Sequence, residues 1–390
     1  MVKRDLLILG GGPAGGMTAL LAARAGMSVV LCEAHATLPA RVCGMYLCPA
    51  GVGMLQRLGI RERVGGNARK LHGMVLVAPN LHRLVTHFPL EGDVPDHGLA
   101  LERPSLDAAF LDVAREAGAS IRMGTRPERI ERCENGWRAM TPGDEAIHAR
   151  VLVGADGRKS STARMLGLSL PARRSRTAIH IDLPALGEAP ALGQMHVFDD
   201  GAYVGLNPVT PDRVNFSLVC DPGALRGITV VDFVNDHLAR SPHLSDLLQP
   251  LPVGTKPGVT FPTSARVRCA STHDAALVGD ASGYTDPLTG EGIYGAMWTA
   301  EALFSALETS WPDIPSALAR YAAVRQRQQR AKTGLCELFQ LFIRRPLLAN
   351  SVHWLLSRRQ SVADSFIGIV GNTYSPARGL SRILQQALAF

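Results

Sequence analysis

Two periods of hydrophobicity alternate along the chain. Leu6 to Leu9 is a short, wholly apolar run, Pro13 to Ala25 a stretch of small residues that predicts a helix, and Ser28 to Cys32 a second apolar run. Two buried strands joined by a helix make a βαβ unit, whose parallel strands require a doubly wound sheet. From Ala40 to Leu58 a loop containing Cys, Gly and Pro leads into an amphipathic stretch, and from Val75 to Phe88 the alternation suits strands of another sheet. Pro104 at a first helical position, followed by Leu106, Phe110, Leu111 and Ala114, predicts a helix ending near Gly118. Ser120 to Met123 and Val151 to Val153 return strands to the first sheet.

Residues 176 to 267 carry short β-like runs: Ala178 to Ile181, Gln194 to Phe198, Tyr203 to Leu206 and Val214 to Val219, separated by Gly, Pro and Asp. Ala275 to Val278 is a last apolar strand, and a long helix then reaches about Leu307. Beyond Ser316 the pattern is helical to the end, with breaks at Pro346 and Pro376. No internal repeat is present.

A chain of 390 residues with 46% hydrophobic and 19% charged residues has enough apolar surface for two intertwined domains, and its 39 glycines and 25 prolines fit a turn-rich α/β protein. Lys and Arg outnumber Asp and Glu by 41 to 34. That excess is spread out, with no basic block or interleaved aromatics, so an anionic cofactor explains it better than nucleic acid. Seven scattered cysteines (32, 43, 48, 133, 220, 269 and 336) form no CxxC pair. They indicate neither a disulfide framework nor a zinc site, and a cytoplasmic location is the expectation. The uncharged stretch from 6 to 23 is interrupted by five glycines and Pro13, which argues against a membrane span.

Those glycines carry the first chemical signal. In LLILGGGPAGGM, Gly10 permits a tight turn, Gly12 lets the backbone approach a pyrophosphate, and Gly15 allows close helix packing, with Pro13 and Ala14 opening the helix toward the negative charge. Glu33, closing the second strand before Ala34, is placed to bind a ribose hydroxyl pair. This fingerprint alone does not separate FAD from NAD.

Two later segments do. VLVGADGRKSSTARMLGL (151 to 168), with Asp156, and AALVGDASGYTDPLTGEGIYGAM (275 to 297) resemble, in order and spacing, the motif pair of the p-hydroxybenzoate hydroxylase fold. The resemblance spans residues 1 to 310. It implies an α/β fold: a Rossmann-type FAD-binding domain over 1–74, 98–168 and 268–330, an inserted β-rich substrate domain over 75–97 and 169–267, and a C-terminal helical segment over 331–390. It also implies FAD as cofactor and NAD(P)H as reductant. Asp280, in a tight backbone beside Gly279, would meet the ribityl chain. Pro287, Gly290, Glu291, Gly292 and Ile293 would open a helix whose dipole faces the flavin. Arg103 and Arg41 stand where the family places basic residues near the nucleotide.

The loop RVCGMYLCP (41 to 49) and the run DPLTGEGI are similar to the geranylgeranyl reductase branch, in which a Cys-Gly pair, here Cys43 and Gly44, lies close to the isoalloxazine. The strand YVGLNP (203 to 208) lacks the Trp and Phe of isoprenoid reductases, and the WxWxIP motif of flavin-dependent halogenases is absent. Cys48 is expected to be a packed side chain. Twelve scattered histidines without HExxH, and no GxSxG, give no sign of a metal site or a hydrolase triad. The segment 334 to 359 is apolar on one side, with Arg344, Arg345, Arg358 and Arg359 on the other. It is expected to cover the active-site cavity, with peripheral membrane contact as the alternative.

These readings predict a NAD(P)H-dependent monooxygenase, a hydroxylase of a hydrophobic or aromatic small molecule, with O2 as co-substrate, possessing the traits of secondary metabolism. The alternatives are a geranylgeranyl reductase-like flavoprotein that reduces a C=C bond of a lipophilic substrate, with Cys43 as proton donor, and a flavin-binding electron carrier without turnover.

Overall fold

The strand Lys3–Leu9 is the axis around which the first sheet is built. In the computed structural model, which describes residues 3–41, 43–64, 68–143, 145–172 and 175–388, it pairs in parallel with Val29–Cys32 on one side and Glu145–Gly154 on the other. Ser120–Arg122 extends the sheet beyond Val29–Cys32. Glu145–Gly154 is long enough to serve two neighbours. Its first half pairs antiparallel with Gly136–Thr141, itself joined to Arg129–Cys133, and its last three residues pair in parallel with Ala275–Leu277.

Alternation along the axial strand decides what covers each face. Leu6 and Ile8 meet the helices Pro13–Arg24, Arg103–Glu116 and Gly292–Ser310 in one buried cluster. Leu7 and Leu9 pack with Trp137, Ala139 and Ile147 of the hairpin on the opposite face. The first two helices approach closely because Gly16 has no side chain: a Cβ there would lie 2.7 Å from Cβ of Phe110.

The second large sheet runs in the order Gly258–Thr260, Thr177–Pro184, Arg213–Cys220, Tyr203–Thr210, Gly193–Val197, Gly73–Val77 and Arg83–His87. Its outer face buries Val204, Leu206, Phe216 and Leu218 against the helix Val230–Ala239. That helix stands where the pattern predicts only strands and turns. Thr229 caps it by accepting a hydrogen bond from the Asp232 amide at 3.1 Å, and its β-branched start, Val230 and Val231, mimics a strand.

Four helices close the chain: Ile314–Ile343, Pro346–Ser357, Gln360–Val370 and Pro376–Leu388. Pro346 and Pro376 mark breaks as expected, whereas the break at Arg358 and Arg359 has no Pro or Gly to announce it. The four arginines of 334 to 359 therefore do not share one helical face. Arg344 bonds Asp221 at 2.8 Å, Arg358 stacks 4.2 Å over Trp354, and Arg359 donates to the Gln386 carbonyl. Among the described residues, no helix is long and apolar enough to cross a membrane.

Phe110 is fully buried between helix and sheet. Phe110→Ala is expected to cost about 3–5 kcal/mol of stability in equilibrium denaturation. A cost under about 1 kcal/mol would contradict this packing.

Candidate active site

The strands Lys3–Leu9 and Glu145–Gly154 end side by side, and the turns that follow them meet. Gly10 has φ +108°, and a Cβ there would fall 2.5 Å from the Ala155 carbonyl oxygen. A Cβ on Gly15 would sit 1.9 Å from the Gly10 carbonyl oxygen. The protein's own packing thus demands these two glycines.

Gly12 is different. Its φ of −73° suits any residue, and the nearest atom to a Cβ there is Nη2 of Arg103 at 3.6 Å. The fold leaves that space over the helix start open. Gly12 is also the N-cap of Pro13–Arg24, and no side chain caps that helix. The first-turn amides, with Pro13 at the first position and Ala14 buried behind it, therefore present a positive helix end to the open space. Among the described residues this is the form a pyrophosphate-binding turn takes, so the residues present fit the ADP half of FAD.

Glu33 is 3% exposed at the end of Val29–Cys32. Its carboxylate accepts hydrogen bonds from the Gly11 amide at 2.7 Å and from the His35 amide at 3.0 Å, and contacts His35 Nδ1 at 2.6 Å. Arg41 Nη2 lies 4.0 Å away. Burial works to raise its pKa, but these hydrogen bonds and the Arg41 charge outweigh it and hold the carboxyl below its usual range. Ala34, next in the chain, is exposed.

Arg103 is the first residue of its helix, one position earlier than the pattern places the start, with Pro104 second. Its guanidinium pairs with Asp107 at 3.0 Å and touches Cys43, which ties the Cys-Gly loop to the pyrophosphate turn. Gly44 is held from the other side: Asn207 Nδ2 donates to its carbonyl oxygen at 2.8 Å. Cys48 is fully buried at the start of Pro49–Arg57, and burial pushes its thiol up to about 12, as a packed side chain requires.

The late motif closes the cleft. Gly279 has φ +59° and approaches so closely that a Cβ would lie 2.9 Å from Cβ of Ala14. Asp280 follows, with Arg158 Nε at 3.6 Å. Burial raises its pKa, against the charges of Arg158, Arg103 and Arg325. Pro287 opens a turn capped by Asp286, whose carboxylate accepts from the Leu288 amide at 3.0 Å. Gly290 has φ +63°, and a Cβ there would meet the Tyr46 ring at 2.7 Å. Gly292 starts its helix without a side-chain cap, a second open helix N-terminus in the same cleft.

Three expected site residues present something other than a side chain. Asp156 accepts hydrogen bonds from the Ser160 and Ser161 hydroxyls and from the Thr162 amide and hydroxyl. Four donors fill a carboxylate's capacity, so it holds its own turn. Glu291 bonds Lys332 and Asn372. Ile293 is 4% exposed and packs in the core, leaving only its backbone to the cleft.

Sequence reasoning missed Arg158, Asn207 and the pair Tyr203 and Asp286, whose hydroxyl and carboxylate meet at 2.7 Å. The run YVGLNP held the signal for two of them, but as missing aromatics rather than as residues with a task. It also missed a cluster in which His72, Asp96 and His97 bring ligand-type atoms within 4.8 Å of one another. There, Asp96 Oδ1 is 3.1 Å from His97 Nδ1.

A cavity of about 120 Å³ opens beside the Pro287 turn. Met74, Leu76 and Met195 of the second sheet form one wall, Phe339 and Val352 of the C-terminal helices the other, and Leu288 joins it to the turn.

A glycine turn before an uncapped helix start, a buried acid at the end of the next strand and a late Gly-Asp turn pressed against that helix make the framework of a flavoprotein oxidoreductase. Residues 3–332 match the model of the FAD binding domain family, and the chain belongs to that family. Among curated proteins it is similar to the digeranylgeranylglycerophospholipid reductase of Methanosarcina acetivorans, 26% identical over 353 residues covering 85% of this chain and 81% of that one. Among solved structures it is similar to P. aeruginosa PqsL in complex with 2-aminobenzoylacetate, with TM-score 0.75 and 22% identity over 90% of this chain and all of that one. A geranylgeranyl bacteriochlorophyll reductase-like protein from Thermoplasma acidophilum has TM-score 0.77 and 18% identity, covering 98% of this chain and 99% of that one.

The two kinds of glycine separate in a test. Gly12→Val is expected to fold with wild-type circular dichroism and to purify colourless, because its side chain fills only the pyrophosphate space. Gly15→Val is expected to lose the fold itself. A yellow Gly12→Val protein with full flavin content would overturn the assignment.

Proposed function

We propose that this protein is a NAD(P)H-dependent flavin monooxygenase that hydroxylates a hydrophobic or aromatic small molecule. When bound, FAD supplies the two-electron chemistry, accepting hydride from a nicotinamide and passing the electrons on. In this reading Gly12, Pro13, Ala14 and Glu33 hold the ADP half, Arg103 and Asp280 meet the linking groups, and the amides at Gly292 and Ile293 face the flavin ring. The strands of 75–97 and 169–267 serve the substrate.

One observation carries the choice of reaction. Among the described residues, the inner face of the second sheet, beside the Cys43 and Gly290 loops, offers an apolar cavity and hydrogen-bonding groups, and the acid Asp182 is bonded to Asn215 and Arg213. Asp286 is engaged by Tyr203 and the Leu288 amide, and burial holds His180 neutral by lowering its pKa to about 4. Oxygenation needs water excluded and no protein acid of its own, whereas reducing a double bond needs a proton donor beside the flavin.

The second reading, reduction of a C=C bond in a lipophilic substrate, is favoured by the Cys43-Gly44 loop and by the activity named for the Methanosarcina relative. Cys43 would then supply the proton.

Anaerobic reduction by NADPH and then NADH, followed by mixing with oxygenated buffer in a stopped-flow spectrometer, separates the two. The monooxygenase is expected to reoxidise in two resolved phases, the second slowed by an aromatic ligand. A single fast phase that releases hydrogen peroxide in full and ignores ligands would transfer the assignment to the reductase.

A further inference from the structure

One rung of paired residues crosses the second sheet through His180, Ser217, Gly205, Met195 and Leu76. Residues paired directly across strands turn their side chains to the same face. Along this rung the face is polar at one end and apolar at the other. Between them stands Gly205, whose Cβ position has no atom within 4 Å.

The gap at Gly205 has a defined address. Two residues before it, Tyr203 bonds Asp286 at 2.7 Å, and two residues after it, Asn207 bonds the Gly44 carbonyl at 2.8 Å. Both lie on the same face as Gly205, so the space above it is bounded by the turn at 286–290 and by the Cys43-Gly44 loop, the two segments that the flavin reading places against the ring.

The polar end is a directed chain of hydrogen bonds. Asn215 Nδ2 lies 2.7 Å from His180 Nε2 and 2.8 Å from Asp182 Oδ1. An amide nitrogen only donates, so both its protons are used and His180 Nε2 accepts. The network therefore assigns the proton of the neutral imidazole to Nδ1, which donates to Ser217 Oγ at 2.7 Å. Ser217 accepts there and keeps its own O–H to give. The nearest protein acceptor is Asn215 Oδ1, at a long 3.4 Å. At the other end, Met195 and Leu76 form the wall of the apolar cavity roofed by Phe339 and Val352.

Resting on the flavin reading, we infer that the space over Gly205 is the seat of the substrate's head group, with an oxygen acceptor of that head, such as a phenol or ketone oxygen, taking the Ser217 O–H. The alkyl tail runs past Met195 into the cavity. The substrate class is then an amphiphile: a compact oxygenated head on an apolar chain. A pure hydrocarbon such as an unsubstituted isoprenoid segment leaves the Ser217 hydroxyl with only its long contact to Asn215 Oδ1, and a site built to hydrogen-bond a group rejects the analogue that lacks it.

The test is a pair of probes with one tail, 4-hexylphenol and hexylbenzene, titrated into the FAD-loaded protein and read by the flavin absorbance spectrum. Hexylbenzene is the more hydrophobic, so an apolar site alone would favour it. The wild type is expected to bind 4-hexylphenol about ten-fold more tightly, one charge-free hydrogen bond's worth. Ser217→Ala should bring the preference within about two-fold while FAD content stays full. Gly205→Leu should weaken both probes at least about ten-fold by filling the seat, again with flavin retained. Equal or tighter binding of hexylbenzene by the wild type, a preference that survives Ser217→Ala, or unchanged binding by Gly205→Leu overturns the inference. Calorimetry with the same probes and variants reads the seat without flavin absorbance, so loss of the FAD assignment and loss of the seat are told apart.

Discussion

The parallel pairing of Leu152, Val153 and Gly154 with Ala275, Ala276 and Leu277 is the contact on which the rest of the site depends. It delivers the late motif to the sheet end where the early fingerprint already stands. Gly279 can then press on Ala14, and the helix starting at Gly292 packs beside the one starting at Pro13. Neither helix start has a side-chain cap, so no side chain answers the first-turn amides of either helix.

The second sheet meets this frame through a buried apolar cluster that includes Tyr46, Leu288, Ala178 and Val219, and through a few polar ties. Tyr203 reaches Asp286, Asn207 reaches Gly44, and Arg69 donates to the Thr210 carbonyl at 3.3 Å. Arg176, 1% exposed, donates to the Gly201 carbonyl at 2.6 Å and to Gln340 at 3.0 Å, which binds the sheet to the long C-terminal helix. Buried hydrogen bonds to a charged group are costly to break once formed. They fix the angle at which the sheet presents its inner face to the flavin loops.

Glu291 shows how the C-terminal helices are built into the site rather than added to it. Its carboxylate joins Lys332 of Ile314–Ile343 and Asn372 of the turn after Gln360–Val370, and Asn372 in turn lies 3.8 Å from Cys48 Sγ. The same helices roof the apolar cavity with Phe339 and Val352. These residues belong to the segment 334 to 359, which breaks at Pro346 as its sequence predicts.

Local rules were legible in the amino-acid order. The βαβ unit, the glycine turns and the longer strands of the second sheet follow from short-range periodicity and from positions where only glycine fits, because each such constraint acts within a few residues, whereas the strands Arg129–Cys133, Gly136–Thr141 and Gly258–Thr260 do not show in the pattern. The helix Val230–Ala239 escaped because β-branched residues at its start imitate a strand. At Asp156, Glu291 and Ile293 the chain order marked where the backbone goes, while the structure shows their side chains engaged with other parts of the protein. What only the tertiary structure decided is which distant residues share a face. His180, Ser217, Gly205 and Met195 come from four strands and meet through strand register, and register is set by the sum of pairings across the whole sheet. No local pattern encodes that sum, so the empty place at Gly205 and the hydrogen-bond chain aimed at it became visible only once the sheet was assembled.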